Sequence, residues 1–159
     1  KTVGLLFCSA EPNSRYQIEE VAKYLADKGI ESKEFAFTDT NDVTAVTQAA
    51  ADYADVIYIP TDNTAAANTE AIANVLIPAK VPAICGEEGI CAGCGVATLS
   101  ISYYDLGVTT GKMAAKILTG EADISKMPIE YTSATKKYNA SMCDALGIKP
   151  LDGYTAIGE

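Results

Sequence analysis

The feature that most narrows the fold is a hydrophobic period that switches back and forth along the chain. Short β-rich apolar runs alternate with stripes spaced for one face of a helix. Val3-Gly4-Leu5-Leu6-Phe7-Cys8 is nearly continuous in apolar character, as a parallel strand covered on both faces requires. Ile18, Val21, Ala22 and Leu25 then follow at helical spacing, with Ser14 and Gln17 placed for a capping box and Gly29-Ile30 for a Schellman stop. The cycle returns as a run from Ser32 to Thr38, an Asn41/Asp42 cap, and a stripe through Val43, Val46 and Ala50.

A third cycle begins with Val56-Ile57-Tyr58-Ile59-Pro60. Here Asp62-Asn63-Thr64 is expected to cap one helix carrying Ile72, Val75 and Leu76 and stopping at Pro78. Pro82-Ala83-Ile84-Cys85 reads as a fourth strand, and the four glycines between Gly86 and Gly95 predict a loop. Val96 to Ile101 reads as a strand. Asp105 opens a helix with Leu106, Met113 and Ile117 inward, stopped by Gly120. Pro128 to Tyr131 is expected to add a strand, and Tyr138, Met142, Ala145 and Leu146 a last helix ended by Gly147, with a loose tail from Pro150 onward. Repeated βα units with right-handed crossovers predict an α/β fold built on a doubly wound parallel sheet.

Composition removes several functions. The chain has 159 residues, within the roughly 100–200 expected of one domain. It carries a formal charge of −9, with eleven lysines and one arginine as its only basic side chains. That leaves no positive footprint for nucleic acid. There is no histidine, which excludes imidazole bases, Ser-His-Asp triads and histidine metal ligands. No apolar run approaches the 18–20 or so residues that span a bilayer, and the N-terminus shows no signal-peptide pattern. The five cysteines are odd in number, against a fully paired secreted disulfide framework. No glycine-rich phosphate loop follows the first strand, so ATP chemistry lacks its cradle.

In an open parallel sheet, ligands bind beyond the carboxyl ends of the strands. The loops there contain Ser9, Asn13 and Ser14; Thr38 to Asn41; Asp62, Asn63 and Thr64; Glu87 and Glu88; and Ser102 to Asp105. Their small, hydroxylic, amide and acidic side chains suit a polar or zwitterionic ligand. Asp62, Asn63 and Thr64 equally suit helix capping, as does Ser14, whereas Asn13 would be free to face a ligand. Glu87 and Glu88 fit either a ligand ammonium or a solvated acidic loop, and Tyr103-Tyr104 an aromatic wall or half-buried packing. Cys91-Ala92-Gly93-Cys94, with Cys85 upstream, is open to redox exchange, metal binding, a local disulfide or free thiols. A zinc site would lack its fourth ligand, and Cys8 and Cys143 read as core residues.

Taken in order, Val3-Gly4-Leu5-Leu6, Ala10-Glu11-Pro12-Asn13-Ser14, Tyr58-Ile59-Pro60-Thr61-Asp62-Asn63-Thr64, Gly86-Glu87-Glu88-Gly89 and Ala97 to Gly107 with Ala114 to Leu118 resemble a known family. It is the tryptophan/tyrosine-type ABC transporter substrate-binding proteins. The resemblance implies one lobe of a periplasmic-binding-protein-like class I receptor, a three-layer sheet over residues 1–150 with a tail at 151–159. The match starts where the family's second lobe starts, and residues 97–120 would cross to the first lobe. Alone, those residues would fold back onto this lobe or pair with a second chain, as a homodimer or swapped dimer.

The resemblance further implies an amino acid or similar small zwitterion as ligand, with aromatic amino acids among the candidates, gripped by Ser9, Asn13, Ser14, Asp62, Asn63, Thr64 and Glu87 or Glu88. It implies an ABC permease as partner, no catalysis, no cofactor, no metal, and a lipid-anchored parent on the outer face of the membrane or in the periplasm. The alternatives are a small α/β thiol oxidoreductase using Cys91 and Cys94, and a receiver-like signalling domain. The receiver is disfavoured because the first strand ends in Cys8-Ser9 rather than an acidic pair, and the third runs into Pro60.

Overall fold

The computed structural model describes residues 1–158. Strands β1 (Thr2–Cys8), β2 (Glu31–Phe37), β3 (Val56–Ile59), β4 (Ala83–Cys85), β5 (Ala97–Ile101), β6 (Ala134–Tyr138) and β7 (Thr155–Ala156) form one sheet in the order β2-β1-β3-β4-β5-β6-β7. β1 pairs in parallel with β2 from Thr2 opposite Glu31 to Cys8 opposite Phe37, and on its other side with β3. β3 with β4, β4 with β5, and β6 with β7 are parallel as well. The helices are α1 (Pro12–Asp27), α2 (Val43–Tyr53), α3 (Asn63–Ala66), α4 (Thr69–Ala79), α5 (Glu88–Cys94), α6 (Tyr103–Leu118) and α7 (Ala140–Leu146). This is the expected mixed α/β architecture with a largely parallel sheet.

The central strand explains the two cores. Val3 through Cys8 are all buried, and alternate residues point to opposite faces. Val3, Leu5 and Phe7 meet Ile18, Val21 and Leu25 of α1. Leu6 and Cys8 belong to the larger core, with Phe37, Val43, Ala50, Ile57, Ile59, Ile72, Leu76 and Ile90. Each such side chain, fully buried, contributes about 1.5–3 kcal/mol.

The chain divides into two compact units: residues 1–99 together with the stretch from Lys136 onward, and residues 100–135. The first holds both cores. The second contains α6, of which no residue is buried; Leu106, Met113 and Ile117 form the expected stripe but are only half-covered. Leu118, Ile124, Ile129 and Tyr131 are exposed.

Several local expectations are corrected. Ser14 and Gln17 form no capping box, because α1 already starts at Pro12; Ser14 is buried inside the helix, and Gln17 accepts from Thr61 N–H at 3.1 Å. The Gly29 stop does form, with Ile30 N–H donating to Leu25 C=O at 2.9 Å. The helix after Asp62 is two helices. The Asn68 side chain donates to the Thr64 carbonyl at 2.7 Å, taking the acceptor that a continuous helix would give to the Asn68 N–H. Pro78 lies inside the last turn of α4, which ends instead at Lys80 in the left-handed conformation. No strand forms at 128–131; β6 begins at Ala134 and takes in Tyr138, so the last helix starts at Ala140, capped by Asn139. The expected tail contributes β7.

The largest departure is α5, where a loop was expected. Glu87 caps it, accepting from Gly89 N–H at 2.7 Å and from Ile90 N–H, while Ile90, Cys91 and Cys94 bury one face. Its glycines are there for close approach. A Cβ on Gly93 would lie 2.3 Å from Thr69 Oγ1, and one on Gly95 2.3 Å from Cys85 Sγ. Gly95→Ala is therefore expected to cost about 1–3 kcal/mol through overpacking, read as a lowered urea midpoint at unchanged m-value. An unchanged midpoint would show that Cys85 moves aside freely.

Candidate functional site

β1, β3 and β4 are parallel and adjacent, so their carboxyl ends and the loops 9–11, 60–62 and 86–87 lie along one edge of the sheet. Two carboxylates tie the first two of these segments together. Asp62 is 1% exposed; its Oδ2 accepts from Cys8 N–H at 2.7 Å and its Oδ1 from Ala65 N–H at 2.8 Å. It caps α3 and anchors the end of β1 in one stroke. In the reverse direction, Glu11 reaches from the first loop to the start of α3. Its Oε2 accepts from the Asn63 N–H and Nδ2, both at 2.9 Å, and its Oε1 from the Thr64 N–H and Oγ1, both at 2.8 Å. Desolvation works to raise the Glu11 pKa, but these four hydrogen bonds outweigh it and hold the carboxyl below its ordinary 4.5.

Two further donors converge on the Thr61 carbonyl, Asn13 Nδ2 at 2.9 Å and Ser14 Oγ at 3.1 Å. Ser9 turns to the neighbouring strand, where its Oγ donates to Phe37 C=O at 3.2 Å. In the β4 loop, Gly86 is indispensable, since a Cβ there would stand 2.8 Å from the Thr61 nitrogen and 2.9 Å from the Pro60 carbonyl carbon. That contact brings the β3 and β4 loops together. Glu88 accepts from Lys137 Nζ at 2.7 Å in a half-buried ion pair. Ser102 caps α6 through the Asp105 N–H at 3.1 Å, and Tyr103 and Tyr104 are exposed, in the second unit.

The structure thus sorts the sequence candidates. Ser14 and Asp62 are buried and serve the backbone, and Glu87, half-exposed, is a helix cap. Asn13 and Asn63 are exposed, and Ser9, Thr64 and Glu88 half-exposed, all along the same edge. Asn13 is not free as expected, because its amide already holds Thr61. Glu11 is the residue that sequence reasoning missed. An acid directly before a proline at a helix start was the available signal.

A hollow of about 280 Å³ opens near the amino ends of β3, β4 and β5, and Val56, Ile84, Ala97, Tyr138, Lys149 and Leu151 are among its lining residues. Its lining is mostly apolar, with Lys149 its one charged side chain, whereas the strand-end edge gathers several amide, hydroxyl and carboxylate groups and is the better candidate for a zwitterion. All five cysteines are free and buried. Cys91 and Cys94 therefore have no exposed thiol with which to attack an external substrate, as the oxidoreductase alternative requires. Among the described residues, no group of three or more His, Cys, Asp or Glu is arranged to hold a metal ion, and no helix is long and apolar enough to cross a membrane.

Residues 1–151 match the family model for ABC transporter substrate binding proteins, and the chain belongs to that family. It is 26% identical over 136 residues to a tyrosine-binding protein of Clostridioides difficile strain R20291, covering 86% of this chain but 39% of that one. Its fold is similar to the ligand-free, open structure of a substrate-binding protein with adhesive properties from Clostridium difficile (TM-score 0.80, 29% identity, 99% of this chain and 54% of the other). It is also similar to an ABC domain from Streptococcus pneumonia in complex with L-Trp (TM-score 0.86, 29% identity, 99% and 55%). The chain spans about half the length of these solved relatives and less of the curated one.

Asp62→Ala removes a cap worth about 1 kcal/mol and strands the buried Cys8 N–H at a cost of about 1–3 kcal/mol, for an expected loss of about 2–4 kcal/mol by chemical denaturation. A loss below about 1 kcal/mol would show that Asp62 does not anchor β1. Glu11 should show itself in pH dependence. Its folded pKa is depressed, so its stabilisation is present above the unfolded value near 4.5 and is lost as pH falls through the folded value. Glu11→Gln should thus be less stable than wild type at pH 7 and converge with it under acid conditions, in urea titrations run at each pH.

Proposed function

We propose that this chain is the second lobe of a two-lobed ABC importer receptor, in which the edge formed by Ser9, Asn13, Asn63, Thr64 and Glu88 is one wall of an amino-acid site. Family membership over most of the chain, at about half the length of the solved relatives, supports the lobe assignment. The observation that carries the site is the meeting of the β1, β3 and β4 loops on one polar edge, where Asp62, Glu11 and Gly86 hold them together. The exposed Asn13 and Asn63 amides each spend one N–H on the fold and have a second that suits a ligand carboxylate, and Glu88 suits its ammonium. A relative named for tyrosine binding and another holding L-Trp favour an aromatic amino acid.

In this reading Ser14, Asp62 and Glu87 position the wall without touching the ligand. The chain carries out no catalysis, works with an ABC permease, and belongs to a lipid-anchored parent outside the membrane or in the periplasm. Closure of two lobes supplies the affinity, so one lobe binds weakly. The exposed stripe of α6 and the exposed Ile84 and Leu99 side chains fit apolar surfaces that find cover in the rest of such a receptor, or in a dimer of the isolated chain.

Thermal-shift screening of this chain at millimolar ligand is the test. L-Tyr or L-Trp should raise the melting temperature, while tyramine, which lacks the carboxylate, should not. A shift given by sugars and by no amino acid would contradict the assignment. Sedimentation equilibrium of the same sample decides between monomer and dimer.

A further inference from the structure

We propose that Cys85 and Cys91 are a redox-active pair, which a low-molecular-weight disulfide converts into an internal disulfide joining the end of β4 to α5. The motif Cys85-x5-Cys91-x2-Cys94 has no part in the binding reading, and the proposal does not depend on the ligand. Cys85 is 2% exposed, and Cys91 and Cys94 are fully buried. Cys85, Cys91 and Cys94 belong to one core cluster. The space that a Cβ on Gly95 would occupy lies 2.3 Å from Cys85 Sγ and 3.1 Å from Cys91 Cα, so both cysteines border the one gap that Gly95 leaves open.

Geometry selects the partner. Cys91 and Cys94 are three apart on one helix, where Cβ atoms stay about 5–6 Å apart, so a bond between them, at roughly 3.5–4.5 Å, would keep α5 from re-forming, whereas a Cys85–Cys91 bond lets it close. Cys94 Sγ instead faces Ile90 C=O at 3.4 Å. The strand-to-helix pair has no such restriction. On the same face as Cys85, its register partner Thr98 holds a buried hydroxyl with no hydrogen-bond partner, a donor suited to a developing thiolate.

Reaction requires opening. The neighbouring thiols, together with burial, push the Cys85 thiol well up from its ordinary value, so Cys85 is no ready thiolate in the closed core, and no motif sulfur is open to a small disulfide there. α5 is suited to open, having seven residues of which two, Gly89 and Gly93, are poor helix formers. Once α5 opens, the Cys91 thiolate attacks one sulfur of the small disulfide, expelling one small thiol and leaving a mixed disulfide. The Cys85 thiolate then displaces the second small thiol and forms the Cys85–Cys91 bond. The two protein thiols give up two electrons and two protons, which the two small thiols carry away. The ring encloses Gly86 to Ile90, and so fixes the Glu87 cap and the loop bearing Glu88.

The experiment treats the folded, reduced chain with excess oxidised glutathione, quenches in acid, and blocks remaining thiols with N-ethylmaleimide in guanidine. Three blocked thiols in place of five are expected. Trypsin leaves all three motif cysteines in one peptide, because no Lys or Arg lies between Lys80 and Lys112. Cleavage after Glu87 or Glu88 should then leave its halves joined, with fragmentation placing the block on Cys94. Cys94→Ser should still form the bond, and Cys91→Ser should not. Five blocked thiols, a Cys91–Cys94 bond, or a bond to Cys8 or Cys143 would overturn the proposal, and the wild-type map decides this whether or not the variants fold.

Discussion

The reciprocal carboxylate lock between the first and third βα loops is the interaction on which the rest of the site depends. A parallel sheet aligns strand ends but leaves the loops beyond them free. Here Asp62 crosses to the last amide of β1, and Glu11 crosses back to the first amides of α3. Each carboxylate satisfies backbone donors that a helix start or strand end would otherwise leave open. One is buried and the other half-exposed, and that difference divides their roles. Asp62 belongs to the core, whereas Glu11 sits at the surface that a ligand would meet. The close contact of Gly86 with Pro60 and Thr61 extends the same edge to β4.

Stability is unevenly spread around this edge. The larger core gathers α2, α4, α5 and α7 against the sheet, and the smaller gathers α1 against β1. Ile84 and Leu99, on β4 and β5, remain exposed at 39% and 59%, although parallel sheets are ordinarily covered on both faces. The unit at 100–135 buries no hydrophobic side chain.

The alternation of βα units was legible because burial on both faces forces continuous apolar runs, and helix stripes force a different period. That was enough for strands β1 to β5 and for α1, α2, α6 and the stops at Gly29 and Gly147. What the sequence hid was tertiary in origin. Gly93 and Gly95 looked like loop residues because composition cannot distinguish a flexible glycine from one pressed against Thr69 or Cys85. β7 was invisible because two residues have no period. Asp62, Asn63 and Thr64 were located correctly, yet only the structure separates the buried cap from the two donors beside it. Glu11 stood in plain view, but its partners lie more than fifty residues away.

The central claim is that these polar strand-end loops, and not the apolar hollow at the other end of β3 and β4, are the ligand-facing wall. Amide chemical-shift mapping by NMR, with the chain titrated to millimolar L-Trp or L-Tyr, tests it most directly. The account predicts fast-exchange shifts concentrated at Ser9, Glu11, Asn13, Asn63, Thr64 and Glu88. Shifts concentrated at Val56, Ile84, Ala97 and Leu151, with the strand-end amides unmoved, would contradict it.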